Sequence, residues 1–109
     1  MDFFNNQIRE YISSNIDLNI DFDFEKFKVG RSNITFKIFD SKNTYVLRRP
    51  PFGNKLESAH NMQREYKIIT ELSKNNLRVP NPIHLCTDKN ISQDDFYICL
   101  LYTSDAADE

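Results

Sequence analysis

Only two glycines punctuate the chain, Gly30 and Gly53, and neither G-x-G-x-x-G nor G-x-x-x-x-G-K-[ST] occurs, which removes the dinucleotide fingerprint and the P-loop as readings. Cysteine is equally scarce. Cys86 and Cys99 match no metal-ligand spacing and are too few for a secreted disulfide framework, so both are expected as core thiols. No apolar run is long enough to span a bilayer. The start, MDFFNNQIRE, has neither the basic nor the apolar region of a leader, so a cytoplasmic location is the default expectation. Nor is there an excess of one charge. The 14 basic and 16 acidic residues interleave to a formal net charge of −2, leaving no footprint for nucleic acid and favouring a small, near-neutral partner.

What is present is ordinary for a folded protein: 39% hydrophobic and 28% charged residues over 109 positions. That length allows one domain, and is short for an enzyme that closes two lobes around a substrate.

Phe4, Ile8, Tyr11 and Ile12 share one face at helical spacing and predict a packing helix that ends over 13–15. From Phe22 the period changes to two, with Phe22 and Phe24 alternating with Asp23 and Glu25, and a first strand is expected to run through Phe27 and Val29 to Gly30. Ile34, Phe36 and Ile38 mark a second strand, Asp40, Ser41, Lys42 and Asn43 a turn, and residues 44–49 a third strand stopped by Pro50 and Pro51. Ala59, Met62, Tyr66, Ile69 and Leu72 then define the strongest helix, with Ser58 as its expected N-cap. Val79, Pro80, Asn81 and Pro82 read as an extended connector before two short strands, 83–86 and 96–98. The order of elements describes an α+β fold, an antiparallel sheet with a helix packed on it, without internal repeats.

Three features stand in an order that could carry chemistry. Gly30, Arg31, Ser32 and Asn33 form a turn whose backbone N–H groups and side chains could face phosphate oxygens, although an ordinary hairpin turn has the same composition. Arg48 faces opposite to Tyr45 and Leu47 and could hold phosphate, pair with a carboxylate, or be a solvated edge arginine. Glu65 falls three residues after Met62 and four before Ile69, on the flank of the stripe that faces the sheet. A carboxylate there calls for a cationic partner, with Arg48 or Arg49 the candidates. His60 is read as a structural or capping residue, and His84 carries no functional weight.

The segments FKVGRSNITF (residues 27–36), YVLRRPPFG (45–53), SAHNMQREY (58–66) and VPNPI (79–83) resemble the N-terminal lobe of the aminoglycoside phosphotransferase family. They are most similar to the branch with V-L-R-R-P-P and A-H-x-x-x-R-E-Y that also occurs fused to acyl-CoA dehydrogenases. The resemblance implies a protein-kinase-like small lobe, a five-stranded antiparallel sheet with one packed helix and an N-terminal helix. It also implies ATP and Mg²⁺ as cofactors, and phosphoryl transfer to a hydroxyl of a small molecule, a hydroxyacyl compound or an aminoglycoside-like acceptor. Gly30, Arg31, Ser32 and Asn33 then correspond to the phosphate loop, Arg48 to the position usually held by lysine, and Glu65 to its helix partner. Arginine in place of lysine is a departure that changes how phosphate is held. The catalytic Asp and the metal-binding Asn and Asp of that family belong to a large lobe with no counterpart here, so no catalytic or metal-binding residue is expected in this chain and residues 1–98 are expected to be inactive alone. A non-catalytic kinase-like binding or scaffold module is the alternative reading. Residues 99–109, CLLYTSDAADE, resemble the in-frame translation of a sequencing-library adapter and are expected to be a non-native tail. Without its three acidic residues the remainder has a slight basic excess.

Overall fold

Asn5 opens the first helix in the way its side chain allows, with Oδ1 accepting the Ile8 N–H at 2.9 Å, and α1 follows over Asn6–Asn15. A computed structural model describes residues 3–27, 34–50, 57–75 and 81–101. The Ile16 N–H closes the helix on the Ile12 carbonyl at 3.0 Å, and Ile8 and Ile12 are its buried face. Five strands and a second helix follow: β1 (Asp23–Lys26), β2 (Ile34–Phe39), β3 (Thr44–Arg49), α2 (Glu57–Lys74), β4 (Asn81–Cys86) and β5 (Phe96–Leu100). The sheet is antiparallel throughout in the order β1-β2-β3-β5-β4, so the last strand is inserted between its two predecessors.

The β2–β3 hairpin is held by one carboxylate. Asp40 Oδ1 accepts the Lys42 and Asn43 N–H groups, each at 2.8 Å, and Oδ2 accepts the Asn19 N–H at 3.1 Å. Those donors hold the Asp40 carboxyl below its ordinary range. Asn43 Nδ2 donates in turn to the Asp17 carbonyl at 2.9 Å, which ties the turn to the segment leaving α1.

Period-two alternation assigns each side chain to a face. Phe36 and Ile38 of β2, Tyr45 and Leu47 of β3, and Phe96 and Ile98 of β5 join Phe4, Ile8, Ile12, Leu18 and Phe22 in the main core beneath α1. Tyr97 and Cys99 point the other way and meet Met62 of α2, with Tyr66, Ile69 and Leu85 around them. β5 is therefore covered on both faces, which is why its first four residues are all buried. A cavity left by Leu47→Ala in such a site costs about 2–5 kcal/mol.

Several expectations need correction. α2 begins at Glu57, so Ser58 lies inside its first turn and is not the N-cap. β4 begins at Asn81, not Ile83, and takes in Pro82; an edge strand tolerates the missing N–H, and the register shifts between Pro82 and His84. β5 runs on through Cys99 and Leu100, paired with Val46 and Tyr45, two residues past the strand end expected at Ile98. β1 is exposed at all four positions because it is a sheet edge, although Phe24 still packs on Phe4 at 4.5 Å between ring centroids. Cys86 and Cys99 are free, buried thiols. No helix among the described residues is long and apolar enough to cross a membrane.

Candidate functional site

Strand alternation separates two adjacent arginines. Arg49 shares the α1 face with Tyr45 and Leu47, whereas Arg48 shares the α2 face with Val46 and lies directly opposite Tyr97 in the β3–β5 register. The α2 stripe of Met62, Tyr66 and Ile69 seats the helix on Tyr97, Cys99 and Leu85, and that seating carries Glu65 over the end of β3.

Arg48 Nε and Glu65 Oε1 are 3.3 Å apart, with side chains 35% and 32% exposed. The same Glu65 oxygen accepts the Tyr97 hydroxyl at 2.8 Å. Although it lies within ion-pair distance, the buried Arg48 Nε has no hydrogen-bond partner among the described residues. The contact is thus one of charge, not of an aligned N–H···O bond. Arg48 is in this way held beside a carboxylate without being saturated by it, and a third of its side chain remains open to solvent. The open third of the Arg48 side chain, not its buried Nε, is the part that suits an incoming oxyanion.

The surroundings fix protonation states. Burial raises the Tyr97 phenol first, and the Glu65 carboxylate adds to it, so the hydroxyl stays a donor. Burial also pushes the Cys99 thiol up to about 11 against the opposing charge of Arg48. A thiol so raised is neutral at physiological pH and is no nucleophile. Among the described residues, no group of three or more His, Cys, Asp or Glu side chains could hold a metal ion.

Arg49 has a different task. Its Nη2 donates to Asp94 Oδ2 at 2.9 Å, its Nε donates to the Pro50 carbonyl at 2.8 Å, and its guanidinium lies 4.9 Å from the centre of the Phe3 ring. Burial lowers its basicity and Asp94 opposes that effect. The sequence neighbour of Asp94, Asp95, which is fully buried, accepts from Lys89 Nζ at 2.8 Å and from Gln63 Nε2 of α2 at 3.0 Å. His84 shares a hydrogen bond with the Tyr11 hydroxyl, joining β4 to α1 on the face away from Glu65.

Of the residues expected to bind nucleotide, the structure brings Arg48 and Glu65 together, while Gly30, Arg31, Ser32 and Asn33 lie outside the described residues. The side chain of His60 does too. Sequence reasoning named Arg48 and Arg49 equally as partners of Glu65; register selects Arg48. It missed Tyr97, for which the only signal was a phenol in an otherwise apolar strand, where a buried hydroxyl needs an acceptor.

Residues 23–102 match the model of the phosphotransferase enzyme family. Acyl-CoA dehydrogenase family member 11 of Homo sapiens is 37% identical over 73 residues, which are 67% of this chain and 9% of that protein. Family member 10 of Mus musculus is also 37% identical over 73 residues, 67% of this chain and 7% of its own length. The chain thus spans under a tenth of these relatives. A solved structure from Ralstonia eutropha, assigned as an aminoglycoside phosphotransferase, superposes with a TM-score of 0.68 at 26% identity, covering 88% of this chain and 27% of that one. The α+β fold is accordingly that of the small lobe of a kinase-like phosphotransferase, and the chain belongs to the phosphotransferase enzyme family.

Proposed function

We propose that this chain supplies the nucleotide-binding lobe of an ATP-dependent phosphotransferase that acts on a hydroxyl of a small molecule. The observation that carries the reading is the Arg48–Glu65 pair, which joins the end of β3 to the helix packed over it at 3.3 Å. The family match and the one-third exposure of Arg48 support it. Arg48 holds phosphate oxygens by bidentate donation, and Glu65 restrains the guanidinium so that its charge is placed before the ligand arrives. Gly30, Arg31, Ser32 and Asn33 close over the same phosphates through backbone N–H groups. ATP with Mg²⁺ supplies the transferable phosphoryl group and the neutralisation of its charge.

The chain contains no H-x-D-x-x-x-x-N sequence, and on this reading the carboxylate that receives the hydroxyl proton and the metal ligands belong to the large lobe of the family's fold. Residues 1–98 then bind nucleotide without turnover, and the tail, residues 99–109, takes no part in that binding. The resemblance to acyl-CoA dehydrogenase family members favours a hydroxyacyl metabolite as acceptor over an aminoglycoside, with a dehydrogenase domain as the covalent neighbour. Calorimetric titration of the chain with ATP is the test. Arg48→Ala is expected to weaken binding at least about tenfold, the scale of losing a charged hydrogen bond. Equal affinity in the two proteins would remove Arg48 from the phosphate site.

A further inference from the structure

Among the described residues, Arg48 and Tyr97 meet at one Glu65 oxygen, and the two contacts differ in kind. The Arg48 contact, 3.3 Å with no hydrogen bond from Nε and both side chains about a third exposed, resembles a surface ion pair, a weak class of contact. The Tyr97 contact is a 2.8 Å hydrogen bond from a buried hydroxyl to a charged acceptor, a stronger class. The hydroxyl's bond is the stronger restraint of the two. Tyr97 is itself buried, 1% exposed on a strand paired on both sides, with its ring against Tyr66 at 5.7 Å between centroids.

We propose that Tyr97 is a positioning residue: its hydroxyl fixes the Glu65 carboxylate over β3, and the fixed carboxylate in turn places Arg48 for the phosphates of a nucleotide. This rests on the nucleotide reading above. Arg48 and Tyr97 are cross-strand partners, so the sheet sets the distance between the cation and the anchor of its counter-ion, and helix α2 contributes only the carboxylate between them. Without the hydroxyl, Glu65 Oε1 loses its hydrogen-bond donor on the sheet, and the carboxylate beside Arg48 is less firmly placed. Burial keeps the phenol protonated, which makes the anchor insensitive to pH over the range in which proteins work.

The test uses the full 109-residue chain, isotopically labelled, as Tyr97→Phe. The Arg48 Nε–H resonance and its solvent exchange are read without ligand, and ATP affinity is read by titration. The expected result is a displaced, faster-exchanging Arg48 signal and binding weakened about tenfold. In a Glu65→Ala background Tyr97→Phe should change neither, because its effect passes through Glu65. An unmoved Arg48 signal, or the same loss of affinity in both backgrounds, overturns the proposal and leaves Tyr97 as core. If the wild-type chain fails to bind ATP while the Arg48 signal still moves, the nucleotide reading falls and the positioning of Arg48 by Tyr97 stands. Should the phenylalanine variant not fold, Glu65→Gln reads the contact from the other side through the Tyr97 ring-carbon Cζ shift, which is expected to move and contradicts the proposal if it does not.

Discussion

Replacing each of the two adjacent arginines separately should divide stability from ligand binding. Arg49→Met keeps an unbranched apolar side chain but removes the 2.9 Å pair with Asp94, the 2.8 Å bond to the Pro50 carbonyl and the cation–ring contact with Phe3. The two side chains of the pair are 3% and 18% exposed. Breaking a buried pair by deleting one partner costs about 3–5 kcal/mol, and the partial access of water to Asp94 places this one near the lower figure, about 3 kcal/mol. In a domain of this size each kcal/mol moves the melting temperature by about 4–8 °C, so a fall of at least about 12 °C is expected. Arg48→Ala removes a contact that is a third exposed and lacks a hydrogen bond, worth about 0–1 kcal/mol, and also relieves a buried N–H without a partner among the described residues. Its melting temperature should stay within about 8 °C of wild type. Thermal unfolding followed by circular dichroism measures both. Equal shifts for the two variants, or a cost below about 1 kcal/mol for Arg49→Met, would refute the assignment of one arginine to the fold and the other to the site.

Other consequences are as direct. Burial depresses His84 below its ordinary value of 6.5, so the folded state favours the neutral ring; stability should be level above that pH and decline as pH falls through and below it, and His84→Gln should flatten the decline in urea titrations. Asn5→Ala removes the acceptor for the Ile8 N–H and should cost about 1 kcal/mol, seen as a matching shift of the urea midpoint without a change of slope.

What was legible in the sequence had a short-range cause. The alternation of Ile34, Phe36 and Ile38, the turn carboxylate Asp40 and the two-proline stop after Arg49 each encode their element within a few residues, and the observed β2 and β3 match them. The placement of Glu65 opposite a basic strand end was legible for the same reason, because helical spacing from Met62 fixes its azimuth. The obscure features depend on pairing across the chain. Arg48 and Arg49 look alike locally, and only Asp94, 45 residues from Arg49, identifies the buried one. Tyr97 reads as core until Glu65, 32 residues away, is found at its hydroxyl. Pro82 read as a connector because a proline argues against a central strand, while β4 lies at an edge where it is allowed.

The central claim is that the β3–α2 junction faces nucleotide phosphate. Titrating the ¹⁵N-labelled chain with ATP, and separately with adenosine, tests it most directly. The account predicts that ATP shifts the Arg48 side-chain signal together with the backbone amides of residues 30–33, 65 and 97, and that adenosine leaves Arg48 unmoved. Shifts from ATP that spare Arg48, or equal effects from the two ligands, would contradict it.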